Sequence, residues 1–204
     1  ADNLEEFAPL SDADIQHFTK EIDRLSQKDR GIIATMGGTA FGDIALVPGP
    51  FLKHTKGIRD IAEWYMSTAM RPEYIHKVFT AQSEIAVENL KKFKEVMGDK
   101  IDAIFICGTD FGTQQATFCS ADTFKNLYMP YYKKVNSWIH ENTNWKTFKH
   151  SCGAVEPFMN LFIEAEFDII NPVQCSAAGM DPKNLKTKYG DKLTLHGGIN
   201  TLLY

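Results

Sequence analysis

Apolar residues recur every three or four positions through "DADIQHFTKEIDRLSQ" (12–27), where Ile15, Phe18, Ile22 and Leu25 share one face and predict a helix. The period then changes. "GIIATMGG" (31–38) is a short continuous apolar run, the pattern of a buried strand, and it ends in Gly-Gly. Residues 39–57 have no period and read as irregular. "PEYIHKVFTAQSEIAVENLKKFKEVMG" (72–98) predicts a long amphipathic helix, with Pro72 in its first turn and a stripe of Ile75, Val78, Phe79, Ile85, Leu90 and Phe93. "DAIFICG" (102–108) is again strand-like. Residues 120–142 predict a helix capped by Ser120 and kinked at Pro130, with Phe124, Leu127, Tyr128, Tyr131, Val135 and Trp138 along one face. "WKTFKHSCG" (145–153) predicts a strand, residues 154–167 a helix, "DIINPVQ" (168–174) a strand, "DPKNLKTKYG" (181–190) a short helix and "KLTLHGG" (192–198) a strand.

Strands that alternate with helices form parallel sheets, and strands apolar throughout are covered on both faces. A doubly wound sheet and a (β/α)8 barrel both fit this order. The strand ends favour the barrel: "CGTD", "HSCG", "NPVQC" and "HGGIN" carry polar or metal-capable groups just where each run finishes. In a barrel those ends converge on one mouth, where active sites are built. Only five strands are legible, whereas a closed barrel of this type needs eight.

Composition narrows the function classes. The 204 residues are 44% hydrophobic and 24% charged, an ordinary globular balance that reads as a single domain with residues 1–12 as a loose end. A net charge of -4 gives no basic field for nucleic acid or an anionic membrane. No signal peptide and no membrane-length apolar run is legible, so the expected location is cytoplasmic. Four cysteines in a chain this long are not a disulfide framework and are expected to be reduced thiols; Cys107 and Cys152 lie at the ends of strand-like runs.

The chemistry centres on "KHSCG" (149–153). Residues i and i+2 of a strand point to one side, so His150 and Cys152 are placed to share one Zn²⁺. The pair alone falls short of the three protein ligands of a catalytic zinc, and a strand-end histidine bonded to backbone beside a half-buried thiol is the plainer alternative. "TDFGTQ" (109–114) offers Asp110 and Gln114, as a mouth carboxylate and amide or as a solvated turn around Gly112. Gln174 and Cys175 follow the strand end "NPV"; Cys175 is either a third soft donor or packing. His196 reads as a satisfied strand-end histidine, and Cys119 has no assigned role.

Taken together, "DAIFICGTDFGTQ", "YMPYYKKVNSWIHE", "KHSCGAVEPFMNLFIEAEFDIINPVQ" and "AAGMDPKNLKTKYGDKLTLHGGI" resemble the uroporphyrinogen decarboxylase superfamily in order, over roughly residues 31–200, and "IRDIAEWYMSTAMRPEYIHKVF" is similar to its preceding helical region. "HSCG" resembles the cobamide-dependent methyltransferase branch. The resemblance implies a TIM-barrel fold and zinc on His150 and Cys152. It also implies methyl transfer to or from a corrinoid such as methylcobalamin, carried by a corrinoid protein, with a small thiol or an O-methylated compound as the other substrate. Asp110 would then act at the substrate or orient the zinc shell, Gln114 would bind substrate, and Gln174 would line the cavity.

The chain departs from that pattern at three points. Thr109 stands where the family has a first acid, Asn200 replaces the acid after the last strand, and a further zinc-ligand cysteine lies beyond the family's equivalent of Tyr204. The resemblance therefore implies the middle of a longer barrel, present without its N- and C-terminal parts, with open edges that favour self-association. Two alternatives stay open: a porphyrinogen decarboxylase, for which Lys53 and Lys149 are the only basic residues near a strand end or glycine-rich loop, and a non-catalytic binding protein that retains the fold.

Overall fold

Five parallel strands lie side by side in chain order: β1 (Ile33–Ala34), β2 (Ala103–Cys107), β3 (Lys146–His150), β4 (Ile169–Val173) and β5 (Thr194–Gly197). This computed structural model describes residues 3–4 and 7–199, apart from the Cys107 side chain. A doubly wound sheet reverses its strand order at a switch point, whereas strict chain order is that of (β/α)8 strands. The fold is thus α/β, with a five-stranded parallel sheet whose order is consistent with part of a TIM-like barrel, and among the described residues β1 and β5 are its edges.

Helices cross between successive strands. Helix α1 (Asp12–Leu25) begins at a capping box: the Ser11 hydroxyl accepts from the Asp14 amide, and the Asp14 carboxylate accepts from the Ser11 amide at 2.8 Å. Helix α2 (Ile61–Met70) is capped by Asp60, and α3 (Pro72–Met97) starts on Pro72, whose missing N–H costs nothing in a first turn. Helix α3 packs on α1 and α2 and buries Ile75, Val78, Phe79, Ala86, Leu90, Phe93 and Met97 in the core. Helix α7 (Pro182–Tyr189) begins at the Asp181 cap. Within the expected loose end, Asn3 is buried and exchanges hydrogen bonds with Ile58, and the Leu10 amide donates to Asn89.

Three elements differ from the sequence pattern. The 31–38 run pairs only at Ile33–Ala34, because Gly37 and Gly38 take positive φ and leave the extended path. The 120–142 helix is not simply kinked at Pro130. It is built from α4 (Ala121–Thr123), a π-helical turn (Phe124–Tyr128) and α5 (Met129–Asn142), with Pro130 in the first turn of α5. The wide turn rotates α5 about the helix axis, so the buried stripe runs through Tyr132 and Ile139 and leaves Tyr131 and Trp138 partly exposed. The 154–167 segment is a 3₁₀ turn (Glu156–Phe158) followed by a short α6 (Met159–Glu164). No described helix is long and apolar enough to cross a membrane.

Between the sheet and its helices lies an aromatic core of Phe41, Phe79, Phe111, Phe124, Tyr132, Phe158 and Phe162, each at most 2% exposed. Burial of each such ring contributes roughly 1.5–3 kcal/mol. Phe111 belongs to the loop after β2 and sits edge-on to Phe124 and Tyr128 at 5.0 Å. That loop, which carries Asp110, is therefore anchored in the core.

Candidate metal centre

The loops that follow β2 and β3 are laced together at the C-terminal end of the sheet. The Phe111 amide donates to the buried Ser151 hydroxyl at 2.9 Å, the Cys152 amide to the Asp110 carboxylate at 2.7 Å, and the Ala154 amide to the Thr113 carbonyl at 2.7 Å. The backbones approach so closely that a Cβ on Gly153 would overlap the carbonyl of Gly112, and Gly153 itself has a φ of 87°. Glycine at the end of "KHSCG" is thus required twice over, by conformation and by space.

This lacing gathers three donors. His150 Nε2 lies 3.5 Å from Cys152 Sγ and 3.8 Å from Asp110 Oδ1. One ligand atom from each of the three residues falls within 4.8 Å of the others, and all three side chains are half-buried. Sulfur and nitrogen donors on one tetrahedral zinc stand roughly 3.5 Å apart, as Zn–S and Zn–N lengths of about 2.3 and 2.0 Å require. The His150–Cys152 spacing fits that value; without an ion the same contact is a thiol–imidazole hydrogen bond. Among the described residues, this is the cluster of three or more metal-capable side chains.

The imidazole is oriented from behind. Asn171 Nδ2 faces His196, 2.7 Å from its Nδ1 and 3.4 Å from its carbonyl oxygen. A carbonyl only accepts, so this face of the amide is the NH₂ group. Asn171 Oδ1, 2.7 Å from His150 Nδ1, must then accept from an Nδ1–H. This tautomer leaves the Nε2 lone pair directed toward Asp110 and Cys152, as a metal ligand requires.

Burial raises the Cys152 thiol above its ordinary value, and the Asp110 carboxylate raises it further by charge and hydrogen bonding. Cys152 is therefore a neutral thiol until a cation arrives to favour the thiolate. Asp43 is a second carboxylate at the mouth, raised first by burial and then by the Asp110 charge; its amide partner Ala45 works the other way. It comes from the stretch after β1 that has no sequence period, and its Oδ2 would lie 3.5 Å from a Cβ on Gly108. A cavity beside Asp110 is walled by Tyr65, Phe111, Cys119 and Tyr128. Tyr65 Oη is buried there without a hydrogen-bond partner, and burial raises its pKa, so it remains a donor.

The other residues singled out in the sequence fall around this centre. Gln174 Oε1 accepts from the Gly153 amide at 2.8 Å and so props the motif's turn. Gln114 is exposed, and its backbone carbonyl accepts from Ala178. Cys175 is outside the donor cluster; its thiol points at the Gly198 carbonyl at 3.6 Å. His196 bonds to Asn171 as a strand-end histidine. Cys119 is a half-buried thiol pushed up to about 11 by desolvation. Asn200 and Tyr204 lie outside the described residues. Lys149 lies near the end of β3, as the sequence places it, but its side chain is wholly buried on the helix side, because successive strand residues alternate faces. Sequence reasoning missed Asp43, Tyr65 and Asn171. Asn171 carried a signal, since it ends a strand beside the one that bears His150.

No protein-family model matches the chain, and no curated protein matches it. Among solved structures, a methyltransferase from Methanosarcina mazei is similar, with 15% identity and a TM-score of 0.56 over 94% of this chain and 52% of that one. The chain thus spans about half the length of that solved chain, and at this identity the likeness is one of fold.

Proposed function

We propose that His150, Cys152 and Asp110 hold a zinc ion that serves methyl transfer to or from a corrinoid carrier. The observation that carries this reading is the convergence of an imidazole, a thiol and a carboxylate at the C-terminal end of a five-stranded parallel sheet. The fold likeness to a methyltransferase and the "HSCG" resemblance to the cobamide-dependent branch point the same way. When bound, zinc supplies Lewis acidity, which favours the thiolate of a small thiol or polarises the oxygen of an O-methylated compound.

The chain's own residues prepare that site. Asn171 fixes the His150 tautomer, and Ser151, Gln174 and Gly153 fix the turn that presents Cys152. The Asp110 side of the mouth receives the organic substrate; the cavity behind it, about 10 Å³ and holding the Tyr65 hydroxyl, has room for no more than a water. The open side of the mouth faces a corrinoid protein. A porphyrinogen decarboxylase fits less well, because it needs cations to hold acidic side chains and Lys149 is turned away from the mouth.

The test is metal content. Protein purified without chelator should hold close to one zinc per chain, and Cys152→Ser should lose most of it. Loss of methylcobalamin absorbance with a small thiol, or its appearance from a methoxylated compound and the reduced corrinoid, should stop on chelation. Equal zinc in wild type and Cys152→Ser, or transfer indifferent to chelation, would overturn the reading.

A further inference from the structure

Lys149 is wholly buried, next to His150 in sequence but on the opposite face of the sheet. Its Nζ donates to the carbonyl oxygens of Thr109 and of His150, both at 2.6 Å. The rings of Phe111, Tyr132 and Phe162 stand 5.0, 5.7 and 6.0 Å away. Among the described residues, no carboxylate forms an ion pair with it.

An interior ammonium is costly unless its N–H groups are all used. Here two go to carbonyls and the third faces aromatic rings, which attract a cation. A residue needed only to fill this space between rings would be Met or Leu, without that cost. What Lys149 adds is its pair of hydrogen bonds. One partner is the carbonyl of Thr109, which forms the peptide bond to Asp110; the other is the carbonyl of His150 itself. The two carbonyls belong to the loop after β2 and to the end of β3, the same two segments that supply all three candidate donors. The bonds from the Cys152 amide to Asp110 and from the Phe111 amide to the buried Ser151 hydroxyl also join these segments. Lys149 adds a further tie from the helix side.

We propose that Lys149 is a positioning residue of the metal centre: its ammonium clamps the Thr109 carbonyl to the His150 carbonyl and so sets the distance between the Asp110 donor and the His150–Cys152 pair. The proposal rests on the metal reading above. Its consequence is a centre whose donors stand in place before any ion arrives, rather than one assembled by the ion.

The experiment uses the whole chain as wild type, Lys149→Met and Lys149→Arg, with Co²⁺ as the probe. In metal-free protein, backbone amide exchange at Phe111 and Cys152 should be about 10-fold or more faster in Lys149→Met, with the amides of α3 unchanged, and Lys149→Arg should recover part of the protection. Co²⁺ affinity should fall about 10–100-fold in Lys149→Met, the range seen when outer partners of a metal site are lost. Unchanged exchange at both amides together with unchanged affinity would overturn the proposal. Exchange raised evenly through α3 as well would also overturn it, since that is the mark of a merely structural lysine. Failure of wild type to bind Co²⁺ would overturn the metal reading, while amide exchange would still decide the clamp. If Lys149→Met does not fold, the wild type decides by ¹⁵N NMR. The clamp requires a protected ammonium signal coupled to two carbonyl carbons, and an ammonium exchanging like those of surface lysines would refute it.

Discussion

The side-chain oxygen of Asn171 stands 2.7 Å from Nδ1 of His150, while its nitrogen stands 2.7 Å from Nδ1 of His196. One amide thus reads two imidazoles and sets them to complementary tautomers. Asn171→Leu removes the acceptor that holds the proton on Nδ1 of His150 and frees the ring to turn or to exchange tautomers. Zinc affinity should fall about 10–100-fold. Competition against a chromophoric chelator measures it, and an affinity within twofold of wild type would show that the amide does not control the ligand.

Asp110 has two tasks that a single substitution separates. Its Oδ1 accepts from the Cys152 amide, and its charge completes the donor set. Asp110→Asn keeps an acceptor for the amide and removes the anionic donor. The thermal midpoint should therefore change little, and zinc affinity should drop at least about 10-fold, on the order of 1.4 kcal/mol. A large loss of stability with zinc binding intact would make Asp110 a loop support instead of a ligand.

The legible part of this molecule was its periodicity. The five strands, their chain order and the polar strand ends are written in short apolar runs between amphipathic segments, and His150 and Cys152 meet because strand residues two apart share a side. What the sequence hid depends on register and on long-range contact. The π-helical turn at Phe124–Tyr128 moves the buried face from Tyr131 to Tyr132, and no residue in that stretch announces a wide turn. Asp43 reaches the mouth from a stretch with no period. Lys149 stands near a strand end, as its place beside His150 indicates, but the alternation that pairs His150 with Cys152 sends its side chain to the other face.

Tyr65 offers a test of the cavity beside Asp110. Its hydroxyl is buried with no hydrogen-bond partner, an arrangement that costs about 1–3 kcal/mol if nothing binds there. Tyr65→Phe should therefore leave stability unchanged or raise it by up to about 1 kcal/mol. Urea titration measures it, and a destabilised variant would mean that the hydroxyl does serve the fold.

At the opposite end of the sheet, Asp168 and His140 tie α5 to β3 and β4. Asp168 Oδ2 lies 2.8 Å from His140 Nε2 and accepts from the Thr147 amide at 2.8 Å and the Thr147 hydroxyl at 3.1 Å. Burial alone would raise the Asp168 carboxyl, but the bonds from His140 and Thr147 and the charges of His140 and Lys146 outweigh it and hold it at about 2, below the ordinary 3.8. The Asp168 bond raises His140 above 6.5, against a smaller effect of burial. A depressed carboxyl favours the folded state above pH 3.8, and this contribution is lost as pH falls through about 2. A raised imidazole favours it fully below pH 6.5, and this contribution is lost as pH rises through the folded value. Both act together from about pH 4 to 6.5. His140→Gln should therefore lower the urea midpoint more at pH 5.5 than at pH 8.5, whereas Asp168→Ala, which removes the acceptor of the Thr147 bonds, should remain destabilising at both, because those bonds do not depend on the imidazole. Urea titrations of the three proteins at these two pH values check this. A His140→Gln deficit that is equal at both, or larger at pH 8.5, would mean that the His140–Asp168 contact stabilises the fold without its charge.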